Sequence, residues 1–293
     1  MDDSILEFFQ LENNPFPPAR ITSERDVLRT NEHARLVSRV VAAAEHAELL
    51  VVIGEHGCGK STSIRAAEPI LLDRNIVFCK FMASDVPKHE SVVSDLVKAM
   101  FDALELPPRQ LNQQRRLEAI KKHLHTNGLK LAVLIDDGHT LHPQTLLAIK
   151  RRYDALSFGF NQLVAFIILS QPYIYSDLAR GEMAEFKGHI DRYEVAGLLS
   201  ADEVDKYVGR KLRRYAELNH CDVSRWIDPD AAERIWSRFA ASVSGLRFKD
   251  PQISPRRLNE ICISLFERAY NLGESRITAA VVDNYADHPA REL

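Results

Sequence analysis

Leu49-Leu50-Val51-Val52-Ile53-Gly54-Glu55-His56-Gly57-Cys58-Gly59-Lys60-Ser61 decides how this chain folds. An apolar pentad runs into G-x-x-x-x-G-K-[ST], matched in full from Gly54 to Ser61, and a helical pattern beginning at Thr62 follows. Strand, glycine-rich loop and helix in that order are the setting a phosphate-binding loop requires. The glycines let backbone N–H groups curl around a β-phosphate, Lys60 reaches the β- and γ-oxygens, and the Ser61 hydroxyl is a ligand for Mg²⁺. The helix adds the positive end of its dipole. Gly54, Glu55, His56, Gly57, Cys58, Gly59, Lys60, Ser61 and Thr62 are therefore expected to cradle ATP, with Cys58 as a small spacer.

Outward from the loop, strands and helices alternate. Ile76–Phe81 reads as a second strand, and Val92, Val93, Leu96, Val97, Met100 and Phe101 mark an amphipathic helix. A further helix is predicted from about Asn112 to His125, a third strand over Leu131–Ile135, a helix over 143–156 and a fourth strand over Leu163–Leu169. Strands apolar on both faces and separated by helices imply a parallel sheet covered by helices, an α/β fold in three αβα layers. Upstream, Leu36, Val37, Val40 and Val41 recur at helical spacing. Before them, Phe8-Phe9-Gln10-Leu11 and Asn14-Pro15-Phe16-Pro17-Pro18 form an arm whose prolines forbid a long helix and whose aromatics must lie on something. After Leu198 the pattern is helical only, starting at the capping box Ser200-Ala201-Asp202-Glu203 and continuing through Pro229–Ala240, Pro255–Tyr270 and Thr278–Tyr285. The expected organisation is an arm (1–30), a nucleotide-binding αβα domain (31–197) and a small all-helical lid domain (198–293).

Composition narrows the function classes. The chain has 293 residues, 45% of them hydrophobic and 27% charged, enough for one substantial core or one large and one small. Its longest apolar run, Leu163–Leu169, falls far short of the roughly 18–20 residues of a membrane span. Met1-Asp2-Asp3 is acidic, unlike the start of a signal peptide, so a cytoplasmic protein with no membrane partner is expected. Cys58, Cys79, Cys221 and Cys262 show no C-x-x-C pairing and suggest neither zinc nor a disulfide framework. A net charge of −3 excludes a globally basic nucleic-acid binder, so any DNA contact must use a local basic surface.

The second half of the nucleotide site is Leu131-Ala132-Val133-Leu134-Ile135-Asp136-Asp137, which has the form of a Walker B strand. Asp136 is expected to hold Mg²⁺, and Asp137 stands where a second carboxylate orients the attacking water. Gly138-His139 extends the motif toward D-E-x-H; His139 by itself reads as a local hydrogen-bonding residue.

The P-loop, Asp136-Asp137-Gly138-His139, Ser170-Gln171-Pro172 after the fourth strand and Ser254-Pro255-Arg256-Arg257-Leu258-Asn259 together resemble the AAA+ ATPases of the ExeA, TnsC, TniB and MuB group. Asn14-Pro15-Phe16 and the helix bearing His33 match as well, so the likeness spans about Phe8 to Tyr285. It implies that Ser170 or Gln171 occupies the sensor-1 position and that Arg256 is the sensor-2 arginine reaching the nucleotide from the lid. Two departures stand out. The family's D-E is here Asp136-Asp137, which withdraws the second carboxylate by about 1.5 Å and implies slow hydrolysis. The family's Q-R-I segment is here Gly188-His189-Ile190, leaving Arg192 as either a trans-acting arginine finger or a surface arginine.

Lys150-Arg151-Arg152 spread over the polar side of the helix after Walker B, either as a solvated face or as cations that track a phosphate backbone. The resemblance favours the second, because TnsC- and MuB-like ATPases stack as rings or helical filaments around duplex DNA. Lys121, Lys122, His123 and His125 form a second basic cluster, and Lys80 and Lys88 are further candidates; such contacts carry little sequence preference. The expected activity is that of an ATP- and Mg²⁺-dependent regulator of DNA transposition, a homo-oligomer on duplex DNA that recruits a transposase or answers a target selector. The alternative is an ExeA-like factor assembling a secretion complex, which normally carries a membrane segment and a cell-wall-binding region after the ATPase domain; with neither before Leu293, transposition is the expectation. A nucleotide-gated scaffold with poor hydrolysis is a third reading, for which Asp137 is the hint.

Overall fold

The computed structural model describes residues 1–17, 27, 30–83, 89–107, 111–215, 222–244, 246 and 249–288. Lys88, Cys221 and Pro18 lie outside them. Five parallel strands form the central sheet: β1 (Leu49–Gly54), β2 (Ile76–Met82), β3 (Lys130–Asp136), β6 (Val164–Ser170) and β7 (Asp191–Val195), in the order β2-β3-β6-β1-β7. A two-stranded hairpin, β4 (Ser157–Phe158) and β5 (Asn161–Gln162), stands apart from it.

Alternation along β1 divides the core. Leu49, Val51 and Ile53 face one helical layer, built from α4 (His89–Ala103), α5 (Gln113–Asn127) and α6 (Pro143–Ala155). Leu50 and Val52 face the other, built from α2 (Asn31–His46) and α3 (Lys60–Asp73). Because β1, β3 and β6 are buried on both faces, their runs are continuously apolar, as a parallel sheet between helices demands. The fold class therefore stands as expected, with one strand more in the central sheet, and the β4–β5 hairpin besides, than the sequence pattern predicts. β7, Asp-Arg-Tyr-Glu-Val, is a half-exposed edge strand whose polar alternation hides it from a pattern tuned to apolar runs. Two short helices, α7 (Ile174–Leu178) and α8 (Ala184–His189), join β6 to β7.

The C-terminal helices are α9 (Ala201–Tyr215), α10 (Ala231–Phe239), α11 (Pro255–Leu272) and α12 (Ala279–Asp287). Ser254 caps α11 through the N–H of Arg257 with Pro255 in the first turn, and Gly273 closes it in the left-handed conformation. The arm belongs to this body. It opens with a short helix, α1 (Asp3–Phe9), and buries Ile5, Phe9, Leu11 and Phe16 in the lid's core. Phe9 and Phe16 both pack on Phe266, and Trp226 Nε1 donates a 2.7 Å hydrogen bond to the Phe9 carbonyl. No described helix is long and apolar enough to cross a membrane.

Candidate nucleotide-binding site

The parallel strands point their carboxyl ends at one cleft, and the residues after β1, β3 and β6 line it. Gly57 and Gly59 adopt φ of +76° and +103°, conformations that side chains rarely take. A Cβ on Gly57 would also stand 2.3 Å from the Arg256 Cβ, so the loop is closed on its lid side as well. Helix α3 begins at Lys60 with Gly59 as its N-cap and no side-chain cap, which leaves its first N–H groups for an anion. Lys60 Nζ donates to the carbonyls of Gly54 at 2.7 Å and Glu55 at 2.9 Å, a lysine folded over the loop it serves. Cys58 is buried, and that burial pushes its thiol up and keeps it neutral.

Ser61 Oγ lies 3.4 Å from Asp136 Oδ2, a hydroxyl and a carboxylate at the reach of one hard cation. Asp137 adopts φ +55°, and its carbonyl accepts from both the N–H and the hydroxyl of Thr140 at 2.8 Å. Those bonds fix Asp137 at the strand's exit, where it lines the cleft with Gln171. Burial lowers the His139 pKa, against the pull of Asp137 in the other direction, so the ring is neutral at pH 7. Its Nε2 is 3.3 Å from Gln171 Nε2. Both residues after β6 line the cleft: Ser170 is buried, paired across the sheet with Ile53, and its hydroxyl donates to the Gln171 carbonyl at 3.3 Å, while the Gln171 amide is the one that meets His139.

Arg256 leaves the first turn of α11 and reaches the phosphate loop. Its Nη1 donates to His56 Nε2 and its Nε to Glu260 Oε1 at 3.2 Å. Beside it a cavity of about 250 Å³ opens between the P-loop, the arm, α2, the end of β7 and the lid. Phe16, Glu32, His33, Tyr207 and Asn259 line it. Tyr193 donates to Glu32 at 3.1 Å, His33 pairs with Ser63 at 2.8 Å, and Tyr207 donates to Asn259 at 2.9 Å. Burial raises the Glu32 pKa. Of these five residues, the sequence marked Phe16 as an arm aromatic in need of cover and His33 and Asn259 only as parts of matched motifs, and gave no sign of Glu32 or Tyr207.

Arg192 is elsewhere. It sits in β7 level with Val51, roughly 10 Å of strand before the phosphate loop, with its N–H bonded to Asp191. It therefore takes no part in this chain's own cleft. The basic cluster on α6 is corrected by the structure. Lys150 does not share a polar face with Arg151: it is buried, with Nζ 2.8 Å from Asp154 and 2.6 Å from Glu185 on α8. Arg151 is exposed, and Arg152 turns toward α5, where Nη2 donates to Gln113 at 3.2 Å. Lys121 and Lys122 stand on α5, half-buried and exposed. Lys80 lines the phosphate cleft near Asp136 and is not part of a separate basic surface.

Residues 43–178 match the family model of an AAA domain. No curated protein sequence matches the chain. Among solved structures it is similar to Cdc6p from Pyrobaculum aerophilum, with a TM-score of 0.59 and 14% identity over 94% of this chain and 68% of that one. It is similar to the ORC2 protein of Aeropyrum pernix in its ADPNP-ADP complexes, with a TM-score of 0.58 and 14% identity over 96% and 73%. The A. pernix ORC1 protein in complex with DNA gives a TM-score of 0.52 and 16% identity over 89% and 65%. At these identities the likeness is one of fold: an AAA+ P-loop fold with a helical C-terminal region.

Proposed function

We propose that this protein is an ATP-dependent, DNA-binding AAA+ regulator of DNA transposition, which assembles on duplex target DNA and recruits or activates a transposase. The observation that carries it is the seat of Arg256, a lid side chain resting on His56 and Gly57 of the phosphate loop. Whatever fills that loop meets the lid, so occupancy is converted into lid position and hence into the surface offered to a neighbouring copy. The transposition role is supported by the TnsC-like motif set, and a nucleic-acid target by the DNA in the ORC1 complex.

Ser61 and Asp136 fit Mg²⁺, which when bound neutralises charge on the β- and γ-phosphates. The other roles fall to the chain. Backbone N–H groups at the start of α3 hold the β-phosphate, and Lys60 exchanges the Gly54 and Glu55 carbonyls for phosphate oxygens. Asp137 takes a proton from the water whose oxygen bonds to the γ-phosphorus, while the bond from that phosphorus to the bridging oxygen breaks. Gln171, held by His139, orients the water, and Arg256 answers the change in charge. The shorter Asp137 makes this slow, which suits a protein that persists on DNA before release. Arg192 is assigned to a neighbouring copy's nucleotide, and the tracking of phosphates to Lys121, Lys122, Arg151 and Arg152.

Mobility shift on random-sequence duplexes of increasing length tests the proposal. Binding is expected only with ATP or a non-hydrolysable analogue, steep in salt and in length, and the coated DNA should stimulate strand transfer by the partner transposase. Equal binding without nucleotide overturns it.

A further inference from the structure

Phe160, at the tip of the β4–β5 hairpin, is the most exposed large apolar side chain among the described residues, at 109% of the reference area, and nothing in the nucleotide site employs it. The hairpin precedes β6 and α5 precedes β3, so both meet at the amino-terminal pole of the sheet, opposite the phosphate loop. His125 on α5 stacks on Phe158 with ring centroids 3.6 Å apart and planes 18° apart, which ties the hairpin to the helix and leaves Phe160 beyond it.

The helix so tied is cationic. Residues 113–127 hold Arg115, Arg116, Lys121 and Lys122 against the single acid Glu118, in a chain of net charge −3. Lys121 and Lys122 stand one turn before His125 and share its side of the helix. They make no ion pair among the described residues. Between α5 and α6 lies a cavity of about 660 Å³ lined by Lys121, Arg152, Gln113, Gln114 and Glu118. Arg152 Nε, buried there, has no hydrogen-bond partner among the described residues, a guanidinium donor without an acceptor.

We infer that α5 and the hairpin form the surface by which this protein holds DNA and distorts it: Lys121 and Lys122 take phosphates, and Phe160 stacks on a base at an opened step. The inference rests on the DNA-binding reading above and names the site and the mode. A cationic helix tied to a hairpin that carries one fully exposed ring suits a polyanion with planar faces, since a single aromatic can stack on a base. The same surface offers two rings of apolar area, too little for the apolar centre of a protein interface.

The test uses the full chain with a non-hydrolysable ATP analogue and a duplex carrying 2-aminopurine, whose fluorescence rises on unstacking. Phe160→Ala should weaken binding about tenfold and abolish the rise, with Phe160→Trp restoring both. Lys121→Ala with Lys122→Ala should lower the salt slope by about two phosphate contacts, and the thermal unfolding midpoint reports that each variant is folded. If the parent binds and unstacks DNA and Phe160→Ala does so equally, the inference falls while the proposed function stands. If the parent fails to bind DNA at all, both fall. Loss of self-assembly in Phe160→Ala without DNA would make the tip a contact between copies and would also overturn the inference.

Discussion

The nucleotide cleft has two halves built in different ways. Its phosphate half comes chiefly from three short contiguous stretches, 54–62, 136–139 and 170–171, each at the carboxyl end of a strand and brought together by the sheet's register, with Lys80 and Met82 of β2 and Arg256 of the lid at its margin. Its other half comes from Phe16, Glu32, His33, the segment after β7, Tyr207 and Asn259, contributed by the arm, a core helix, the edge strand and two lid helices. Phosphates are bound by backbone N–H groups and one cation, a chemistry that compresses into a motif. The second half is a cavity between packed bodies, and no local window contains it.

The contrast is sharpest at Lys60. Lys60→Ala removes the side-chain cation of the loop, and nucleotide affinity is expected to fall at least about a thousandfold, on the order of 4 kcal/mol, while the unfolding midpoint barely moves. A labelled-ATP titration decides it. Affinity like the parent's would move the binding energy to the other half of the cleft.

Phe16 should behave in the opposite way. It is fully buried, packs on Phe266 in the lid core and also lines the cavity beside the P-loop. Phe16→Ala is expected to cost about 3–4 kcal/mol of stability and to weaken nucleotide binding by loosening the arm, the reverse of the Lys60 pattern. Denaturant unfolding with and without nucleotide separates the two. A variant that loses neither stability nor affinity would break the distinction between the halves.

That same residue shows what was legible in the sequence and what was not. The strands buried on both faces, the P-loop and the Walker B acids are read from runs and spacings that need no partner. The arm's aromatics plainly needed cover, yet only Phe266 and Trp226, far along the chain, say what covers them. Lys150 makes the point from the other side. Helical spacing put it beside Arg151 on a polar face, and Glu185 on α8, which closes over it, is set by tertiary packing alone. Edge strand β7 escaped for a related reason, since half-exposed polar alternation is common to many loops.

Within the phosphate half, Asp137 tests how far the motif can be pushed. Asp137→Asn removes the proton acceptor and should lower turnover by about a hundredfold while leaving affinity nearly unchanged. Asp137→Glu should raise turnover above the parent by returning the carboxylate to the length the D-E motif supplies. Steady-state rates with saturating ATP check both. If neither variant changes the rate, Asp137 is removed from catalysis and Gln171 and His139 are left to position the water.

The smallest effect belongs to the seam that holds the second half of the cleft in place. Arg39 on α2 pairs with Asp191 at the start of β7 and with Glu48 before β1, so it ties the helix bearing Glu32 and His33 to the strand that leads into the cavity wall. The hydrogen bond from Arg39 holds the Asp191 carboxyl below the ordinary range. A carboxylate with a folded pKa below its unfolded value of about 3.9 adds stability above that value and loses it as pH falls through the folded one. Asp191 is more than half exposed, so the contribution is about 0.5 kcal/mol at most. Arg39→Ala should therefore destabilise slightly at pH 7, and the difference from the parent should vanish in acid, once the pH has fallen below the folded value and the carboxyl is protonated. Unfolding curves at pH 7 and in acid measure it. A difference that survives in acid would mean that Arg39 acts through the packing of its aliphatic stem against α2 and β7, making this wall of the cleft one of apolar contact.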